Sequence, residues 1–352
     1  MKELTLQIKP VGNHCNLCCK YCYAAPFKSK TIKTLDLNLL DKLIKESFEI
    51  TDRVIVTWHG GEPTLVGVEY FEKYLKIIKK YKKENQKIYN MIQTNATLIT
   101  DKMAKFFKKN KFIVSISLDG DEKAHNKNRV DASLKGSFHD AFKGLKNLRK
   151  NGINPPVIVT VTKDNLKKDI ENFNFLINNG FKEIKYSPVY DSIKDNFSIS
   201  NEDWFGYLKN ILYRWIELKD ETIKVREIDE ILSWFAGKQL TICSNSGTCS
   251  RWISIDEFGN IYPCEYMRDN NMYGNIHENS LKEVFQSDKY KLFVEKITYY
   301  YNECKNCKLF SFCHNGCPAT RINKNNKLSY KGKYVYCLQR KRLHQEIEKI
   351  LN

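Results

Sequence analysis

The chain carries, close to its N-terminus, the stretch His14-Cys15-Asn16-Leu17-Cys18-Cys19-Lys20-Tyr21-Cys22-Tyr23. Three of its cysteines, Cys15, Cys19 and Cys22, follow a C-x3-C-x2-C spacing, and thiolates this close on one loop can bind one soft metal centre. A closed structural zinc site takes four protein ligands. Three cysteines therefore predict an iron–sulfur cluster with one iron open to a small molecule. We expect Cys18 to be a buried thiol, and the alternative for the other three is that they too are clustered buried thiols.

The 352 residues and an apolar content of 42% predict one large catalytic domain with an appendage. No run of the sequence approaches the ~20 apolar residues of a membrane span, so we expect no membrane partner. The first residues lead directly into a strand-like segment, which predicts a cytoplasmic protein without a signal peptide. Twelve cysteines in that compartment indicate metal or redox chemistry before disulfides.

The net charge of +17 is spread along the chain, with lysines scattered over helical segments such as 72–84 and 104–111. A solvated lysine face is the simplest explanation, and attraction of an acidic peptide or electron donor is the alternative. The sequence contains no nucleic-acid recognition module, so we expect no nucleic-acid partner.

Residues 4–190 alternate between short apolar segments and longer segments with a helical apolar stripe. The predicted strands are 4–8, 54–58, 88–93, 112–118, 157–161 and 184–188, and the predicted helices are 37–50, 67–82, 99–109, 136–151 and 165–179. This alternation predicts a parallel sheet with right-handed crossovers. Six βα units are too few to close an eight-stranded barrel. The predicted fold class is therefore α/β with a partial (βα)6 barrel.

Polar motifs stand at the carboxyl ends of these strands, where the chemistry of parallel α/β folds gathers. Gly60, Gly61 and Glu62 follow the second strand; glycines let the backbone approach a ligand, and a carboxylate can receive an ammonium group. Ser117 and Asp119 lie two residues apart at the end of the fourth strand, where they suit ribose hydroxyls. The alternative for this pair is ordinary strand-end capping and turn chemistry.

The C-terminal third is rich in cysteine. Residues 191–242 predict a helical bridge, with helices near 202–218 and 227–236, the first capped by Ser200. Eight cysteines follow: Cys243, Cys249, Cys264, Cys304, Cys307, Cys313, Cys317 and Cys337. Segment 256–264 predicts a hairpin that delivers a cysteine from its second strand. We therefore predict three parts, 1–190, 191–242 and 243–352. The alternative for the last is a two-zinc ribbon, but a zinc-binding interaction protein would leave the Gly-Gly-Glu motif unexplained.

Together these features resemble radical S-adenosylmethionine (SAM) enzymes with a C-terminal SPASM domain, and within them the anaerobic sulfatase-maturating enzymes. The matching stretches are Ile8-Lys9-Pro10, the cysteine loop, Gly60-Gly61-Glu62-Pro63-Thr64-Leu65, Gln93-Thr94-Asn95, Leu118-Asp119-Gly120, Asn245-x-Gly247-Thr248-Cys249, Tyr262-Pro263-Cys264 and the eight C-terminal cysteines. The resemblance implies SAM, bound at the open iron and cleaved to a 5′-deoxyadenosyl radical, and three [4Fe–4S] clusters, two of them auxiliary. It also implies a peptide or protein substrate and a flavodoxin- or ferredoxin-type electron donor, and we expect a monomer.

The same resemblance implies a set of site residues. The SAM-binding residues would be Tyr21, Gly60, Gly61, Glu62, Ser117, Asp119, Arg129 and Tyr190. Arg129 would pair with the SAM carboxylate, a surface arginine being the alternative, and the family has an aliphatic residue at the position of Tyr190. The implied ligand sets are Cys15, Cys19 and Cys22 for the SAM cluster, Cys243, Cys249, Cys264 and Cys317 for the nearer auxiliary cluster, and Cys304, Cys307, Cys313 and Cys337 for the distal one. Spacing alone would have grouped Cys304 to Cys317 together.

Three positions differ from the sulfatase-maturating enzymes where those enzymes face their substrate. Ala24 replaces a tyrosine, His59 replaces a glutamine, and Glu265 replaces the aspartate that serves as their base. Together the changes favour a radical SAM maturase that oxidatively modifies a residue of a peptide or protein, as in the thioether crosslinks of peptide natural products. The alternative is a true sulfatase-maturating enzyme, which converts Cys or Ser to formylglycine. We expect no leader-binding domain before the first strand, which favours this alternative.

Glu265 is the predicted catalytic proton acceptor, with His59 as the rival base and an ordinary surface glutamate as the alternative. Its neighbour Cys264 is an implied ligand of the nearer auxiliary cluster, so its carboxylate would lie close to an electron acceptor. Partial burial beside a negatively charged cluster predicts a raised pKa for Glu265, a useful direction for a base near neutral pH.

Overall fold

This computed structural model describes residues 1–25, 31–190, 196–268, 271–299, 302–325 and 327–352. The strands in chain order are β1 (Leu4–Ile8), β2 (Arg53–Trp58), β3 (Lys87–Thr94), β4 (Ile113–Ser117), β5 (Val157–Val161), β6 (Glu183–Pro188), β7 (Lys224–Val225), β8 (Trp252–Ile255), β9 (Asn260–Tyr262), β10 (Gly274–Asn275), β11 (Arg321–Ile322) and β12 (Lys333–Tyr334). The helices are α1 (Leu37–Ile50), α2 (Gly67–Tyr81), α3 (Asp101–Lys109), α4 (Glu122–Asn128), α5 (Phe138–Lys150), α6 (Asp169–Asn178), α7 (Asn201–Leu218), α8 (Arg226–Phe235), α9 (Cys243–Ser246), α10 (Leu281–Gln286), α11 (Asp288–Thr298), α12 (Asn302–Lys305), α13 (Phe310–Cys313) and α14 (Cys337–Leu351).

The chain divides into two compact units. Unit 1 comprises Met1–Ile116, Arg129–Pro155 and Cys249–Glu295, and unit 2 comprises Ser117–Asn128, Pro156–Thr248 and Lys296–Asn352. Each unit is therefore assembled from segments that are distant in the sequence. The predicted boundaries after residues 190 and 242 stay a prediction.

Unit 1 is built on a mixed sheet in the order β10-β9-β8-β1-β2-β3-β4. Strands β8, β1, β2, β3 and β4 run parallel to one another, whereas β9 is antiparallel to both of its neighbours, β8 and β10. Leu6 of β1 lies opposite Val56 of β2 and Ile253 of β8, and all five residues of β1 are buried. Strand β1 is thus central, so the residues that follow it, beginning with Lys9, lie at the middle of one edge of this sheet.

The apolar stripes predicted for the first two helices are their buried faces. On α1, Leu40 and Ile44 are closed to solvent, and the carboxylate of Asp36 caps the helix by accepting from the N–H of Asn38. On α2, Phe71 and Tyr74 meet the indole of Trp58 edge-on, with ring centroids 5.1 and 4.7 Å away. These contacts hold the end of β2 in place, and with it the start of the motif that follows Trp58.

Unit 2 contains three parallel strands in the order β5-β6-β7, with Val159 of β5 opposite Tyr186 of β6. Helix α7 packs against α6 and α14. The predicted cap of α7 is present: the hydroxyl of Ser200 accepts from the N–H of Asp203, and the Asp203 carboxylate accepts from the N–H of Ser200.

The predicted alternation of strands and helices is confirmed, since the six predicted strands correspond closely to β1–β6. Helix α4 was not predicted. The pairing of β8 with β1 in the sheet of unit 1 was not predicted either, since β8 precedes the predicted hairpin segment 256–264. In the described part of the chain, no helix is both long and apolar enough to cross a membrane.

Candidate active site and cluster-binding sites

The sulfur of Cys15 is held by two donors of unit 1. It accepts hydrogen bonds from the N–H of Leu17 at 3.3 Å and from Nδ2 of Asn95 at 3.6 Å. Burial, followed by the Glu62 charge and the nearby thiols of Cys19 and Cys22, raises the pKa of Cys15 to about 12. The three cysteines of the predicted SAM cluster therefore lie within electrostatic reach of one another. As a set of soft donors on one loop, they fit an iron–sulfur cluster.

Cys18 differs from the prediction, because its thiol is exposed rather than buried. Its backbone N–H donates to the carbonyl of Val130 at 2.6 Å. This bond anchors the loop at Cys18 through the main chain while the side chain faces solvent. All twelve cysteines lie in the described ranges, and none of them forms a disulfide there.

The two glycines after β2 are required by the cysteine loop itself. A Cβ on Gly61 would lie 1.7 Å from the carbonyl oxygen of His14, and Gly60 has a φ of +104°. The N–H of Gly61 donates to the carbonyl of Gly12 at 2.8 Å, and the N–H of Glu62 donates to that of His14 at 2.7 Å. The glycine turn and the cysteine loop are therefore packed backbone against backbone. Contact of Gly60 and Gly61 with SAM stays a prediction.

Both carboxylate oxygens of Glu62 are bound within unit 1. Oε1 accepts from the N–H and hydroxyl of Thr64 at 3.0 and 2.5 Å and from the hydroxyl of Thr94 at 2.7 Å, and Oε2 accepts from the N–H of Asn95 at 2.7 Å. Burial nevertheless raises the pKa of Glu62 above its ordinary value. Glu62 thus ties the glycine turn to Asn95, which in turn donates to Cys15. Its contact with the SAM amino group stays a prediction.

The remaining predicted SAM-binding residues fall in both units. In unit 1, the guanidinium carbon of Arg129 lies 5.5 Å from the ring centre of Tyr21, and both side chains are buried. In unit 2, Ser117 and Asp119 are buried, and the carboxylate of Asp119 accepts from the N–H of Thr160 at 2.9 Å. The strand ends at Ser117, so the predicted strand-like alternation does not extend to Asp119.

Tyr190 also lies in unit 2. Its ring stands edge-on to that of Tyr336, with a centroid distance of 6.2 Å. Tyr336 immediately precedes Cys337, and its hydroxyl donates to the carbonyls of Val189 and Ile199. A role for Tyr190 in binding SAM stays a prediction.

A buried cluster of charged side chains lies in unit 1, after strands β1, β2 and β9. The ammonium group of Lys9 lies 2.9 Å from Oε1 of Glu265, and Nδ1 of His59 lies 2.5 Å from Oε2 of the same carboxylate. On its other side, Nε2 of His59 lies 3.1 Å from Oε1 of Gln93. Lys9 and Glu265 are both closed to solvent. We call Lys9, His59 and Glu265 the carboxylate cluster.

The carboxylate cluster corrects the expected electrostatics of Glu265. Burial by itself would raise the pKa of Glu265, but the charges of Lys9 and His59 and hydrogen bonds from His59 and Tyr23 outweigh it. They hold the pKa of Glu265 well below its ordinary value. Lys9 was predicted only as part of the stretch Ile8-Lys9-Pro10, and its contact with Glu265 was not predicted because the two residues are far apart in the sequence.

Tyr23 extends the carboxylate cluster. Its hydroxyl is closed to solvent and lies against Glu265, and its ring packs on that of Tyr266 with a centroid distance of 4.7 Å. The Tyr266 side chain is exposed. Ala24, the next residue in the chain, is buried as well.

Four cysteines of unit 2 line one cavity: Cys304, Cys307, Cys313 and Cys337. Burial, and then the neighbouring thiols of Cys313, Cys337 and Cys307, raises the pKa of Cys304 to about 11. Cys317 is not part of this lining; burial and then Cys243 raise its pKa to about 11. In the described residues, no three His, Cys, Asp or Glu side chains converge closely enough to hold a single metal ion.

This arrangement supports the interleaved ligand assignment rather than the grouping by spacing, because four thiols round one cavity are a suitable donor set for a [4Fe–4S] cluster. Of the other four C-terminal cysteines, Cys243 and Cys317 lie in unit 2, and Cys249 and Cys264 lie in unit 1. The assignment of each ligand stays a prediction.

Two family models match the chain. The Radical SAM superfamily covers residues 10–175, and the SPASM iron–sulfur cluster-binding domain covers residues 243–308. With the cysteine loop and the α/β sheet described above, the chain belongs to the radical SAM superfamily and carries a SPASM domain. It is therefore a radical SAM enzyme that binds [4Fe–4S] clusters and SAM, as predicted.

Its named relatives are anaerobic sulfatase-maturating enzymes. The cysteine-type enzyme of Clostridium novyi is 32% identical over 334 residues, covering 91% of this chain and 89% of that one. The serine-type enzyme of Bacteroides thetaiotaomicron is 28% identical over 368 residues, covering 95% and 89%. This chain is thus a radical SAM maturase, and these relatives fit the sulfatase-maturating alternative better than the predicted peptide crosslinking.

Solved structures show the same relationship. Native anSMEcpe with bound AdoMet and Cp18Cys peptide matches with a TM-score of 0.89 and 29% identity, covering 100% of this chain and 98% of that one. Streptococcus suis SuiB bound to precursor peptide SuiA matches with a TM-score of 0.66 and 18% identity, covering 95% and 75%. The second likeness extends to the fold alone.

Proposed function

We propose that this chain is a cysteine-type maturase, which oxidises the side chain of a cysteine in a protein or peptide to an aldehyde. The observation that carries the proposal is the carboxylate cluster, which fixes one buried carboxylate, Glu265, directly after Cys264. The similarity to cysteine-type sulfatase-maturating enzymes over most of both chains supports the substrate class. So does the solved relative that binds a peptide and AdoMet.

The chain's own residues fit the cofactors that this reaction needs. Cys15, Cys19 and Cys22 would hold the cluster that binds SAM, and the enclosed Arg129 and Tyr21 offer a cation and a ring for its carboxylate and adenosyl portions. The bound cofactors supply the radical that removes a hydrogen atom from the substrate and an acceptor for the electron that follows.

The reaction also requires the loss of one proton. In the proposed sequence, the substrate Cβ–H bond breaks by loss of a hydrogen atom, one electron leaves, and the thiol proton moves to Glu265 as the C=S bond forms. Water then replaces sulfur, releasing hydrogen sulfide and leaving the aldehyde. Lys9 orients the Glu265 carboxylate, and His59 fixes its second oxygen.

Position-specific deuterium tests this proposal. The probe is the Cp18Cys peptide with its cysteine deuterated at Cβ, incubated anaerobically with the cluster-loaded protein, SAM and dithionite. We expect deuterium in the 5′-deoxyadenosine that is released. A peptide deuterated at Cα of the same cysteine is the matched control and should transfer none. Transfer from Cα, or 5′-deoxyadenosine without label from either peptide, would overturn the proposal.

A second candidate function is the formation of a thioether crosslink in a peptide. The observation that favours it is the His59–Glu265 pair, which stands where the sulfatase-maturating enzymes are expected to carry Gln and Asp. The longer glutamate and the imidazole would place the proton-accepting group differently, and displacements of about 1 Å can change rates by about 10²-fold.

The electron donor, the oligomeric state and the compartment of the protein are also proposals. We propose a flavodoxin- or ferredoxin-type electron donor, which the net charge of +17 would attract. We further propose that the chain acts as a monomer and works in a reducing compartment, where its twelve cysteines would stay available as thiolate ligands.

A further inference from the structure

The four cysteines round the cavity of unit 2 have an arginine as a close neighbour. Arg340, on α14, donates from Nη1 to the sulfur of Cys313 at 3.2 Å, and its side chain also lines the cavity. The guanidinium carbon lies 4.5 Å from the ring centre of Tyr334 and 5.5 Å from that of Phe312. Two aromatic rings thus hold the guanidinium against this sulfur.

The charge of Arg340 is not neutralised by a carboxylate within the described residues. The neighbouring Lys333, by contrast, pairs with Glu303 at 2.6 Å. Lys341 also lines the cavity. The four thiols therefore face a fixed positive charge that donates directly to one of them. Hydrogen bonds to the sulfurs and nearby charge are among the factors that set the reduction potential of iron–sulfur clusters.

We propose that Arg340 raises the reduction potential of the cluster held by Cys304, Cys307, Cys313 and Cys337. Reduction adds one negative charge to a cluster that four thiolates already make negative. A guanidinium hydrogen-bonded to one ligand stabilises the reduced form more than the oxidised form. Arg340 is thus a positioning residue that makes this site a better electron acceptor. The inference rests on the proposed ligand set and is independent of the substrate.

The test is a redox titration followed by electron paramagnetic resonance. The parent is the Cys15→Ala/Cys19→Ala/Cys22→Ala variant, which keeps the two auxiliary clusters. Adding Cys304→Ala identifies the reduction step of the distal cluster as the step that disappears. If no step and no iron were lost, the ligand assignment would be wrong, and the proposal would fall with it.

Arg340→Gln in the same parent removes the charge and the fork of donors. We expect the reduction potential of the distal cluster to fall by about 59 mV. For a one-electron couple, this is a change of about tenfold in the ratio of reduced to oxidised cluster at a given potential. The other step should not move. Arg342→Gln is the matched control: it removes the same charge from α14, but Arg342 pairs with Glu202 and stacks on Phe205 at 3.9 Å.

If the glutamine variant loses iron, the reduction potential of the distal cluster can be measured in Arg340→Lys instead. Lysine retains the charge but not the planar fork, so we expect a smaller shift in the same direction. An unchanged distal potential in the lysine variant, together with iron loss in the glutamine variant, would assign Arg340 to cluster assembly. That outcome, or a full iron content with unchanged potential in both variants, would overturn the proposal.

Discussion

The ammonium nitrogen of Lys9 lies 2.9 Å from Oε1 of Glu265, and neither side chain is open to solvent. The two residues are far apart in the sequence, Lys9 after the central strand β1 and Glu265 after β9. Removing two charges from water is costly, and their mutual attraction offsets that cost only while both are present. This pair therefore determines both the charge of the proposed base and its position.

The first prediction concerns the stability that Lys9 provides. Lys9→Met removes the ammonium charge from beside the buried Glu265 carboxylate and leaves, among the described residues, only His59 and Tyr23 in contact with it, so we expect a loss of about 3–5 kcal/mol in the free energy of unfolding. Anaerobic denaturant unfolding of the cluster-loaded protein measures it. The Lys9→Met/Glu265→Gln double variant should be more stable than Lys9→Met. If Lys9→Met had the same effect with and without the Glu265→Gln change, the pair would not be coupled.

The second prediction separates the two candidate bases. Glu265→Gln should lower the amount of modified peptide by about 10²-fold or more while leaving iron content and uncoupled SAM cleavage unchanged. His59→Gln should lower it by less than about tenfold, because the amide can still contact Glu265. Glu278→Gln, an exposed carboxylate of unit 1, is the matched control. Undiminished product in Glu265→Gln with a large loss in His59→Gln would make His59 the base.

The third prediction uses iron content to count ligand sets. Replacing Cys15, Cys19 and Cys22 together should remove about one third of the iron and abolish 5′-deoxyadenosine formation. Cys304→Ala/Cys337→Ala should lose no more iron than Cys304→Ala, because both residues line one cavity. Cys304→Ala/Cys317→Ala should lose about twice as much. Equal iron in the two double variants would place Cys317 on the same cluster as Cys304.

The fourth prediction concerns acid stability. His344 packs against Phe312 with a centroid distance of 4.3 Å, and both of its ring nitrogens are buried without a hydrogen-bond partner among the described residues. Burial, then the Arg340 charge, lowers its pKa to about 4. The unfolded chain binds this proton near pH 6.5 and the folded one only near pH 4, so stability should fall as the pH falls through that window.

A shift from 6.5 to about 4 corresponds to a loss of about 3 kcal/mol in the free energy of unfolding across the whole window. His344→Leu should flatten the pH dependence of the unfolding midpoint, measured between about pH 7 and pH 5. His277→Gln, which changes an exposed histidine, should leave the dependence as it is. The prediction fails if His344→Leu retains the full dependence.

The local pattern of the sequence predicted most of the fold of each unit. Strands β1–β6 were predictable because buried strands are short apolar runs, and the cap of α7 was predictable because Ser200 precedes an amphipathic stretch. The pairing of β8 with β1 was not predictable, since no local property encodes which distant strands become neighbours. The same limit explains the wrong direction for the pKa of Glu265, which Lys9 determines.

The motifs likewise predicted which residues belong to the candidate site, but they did not predict the contacts of each side chain. Glu62 stands in the predicted motif, but its carboxylate is bound by Thr64, Thr94 and Asn95. The contacts of Glu62 with Thr94 and Asn95 depend on the end of β3, which lies outside the Gly-Gly-Glu motif.

Mass spectrometry of the Cp18Cys peptide, after anaerobic incubation with the cluster-loaded protein, SAM and dithionite, distinguishes oxidation to the aldehyde from crosslinking. We expect the cysteine to exchange sulfur and two hydrogens for one oxygen, giving a carbonyl that reacts with hydrazine. The Cys15→Ala/Cys19→Ala/Cys22→Ala variant should leave the peptide unchanged. A product that has lost two hydrogens but retains its sulfur, with no reactive carbonyl, would contradict oxidation to the aldehyde and establish a crosslink instead.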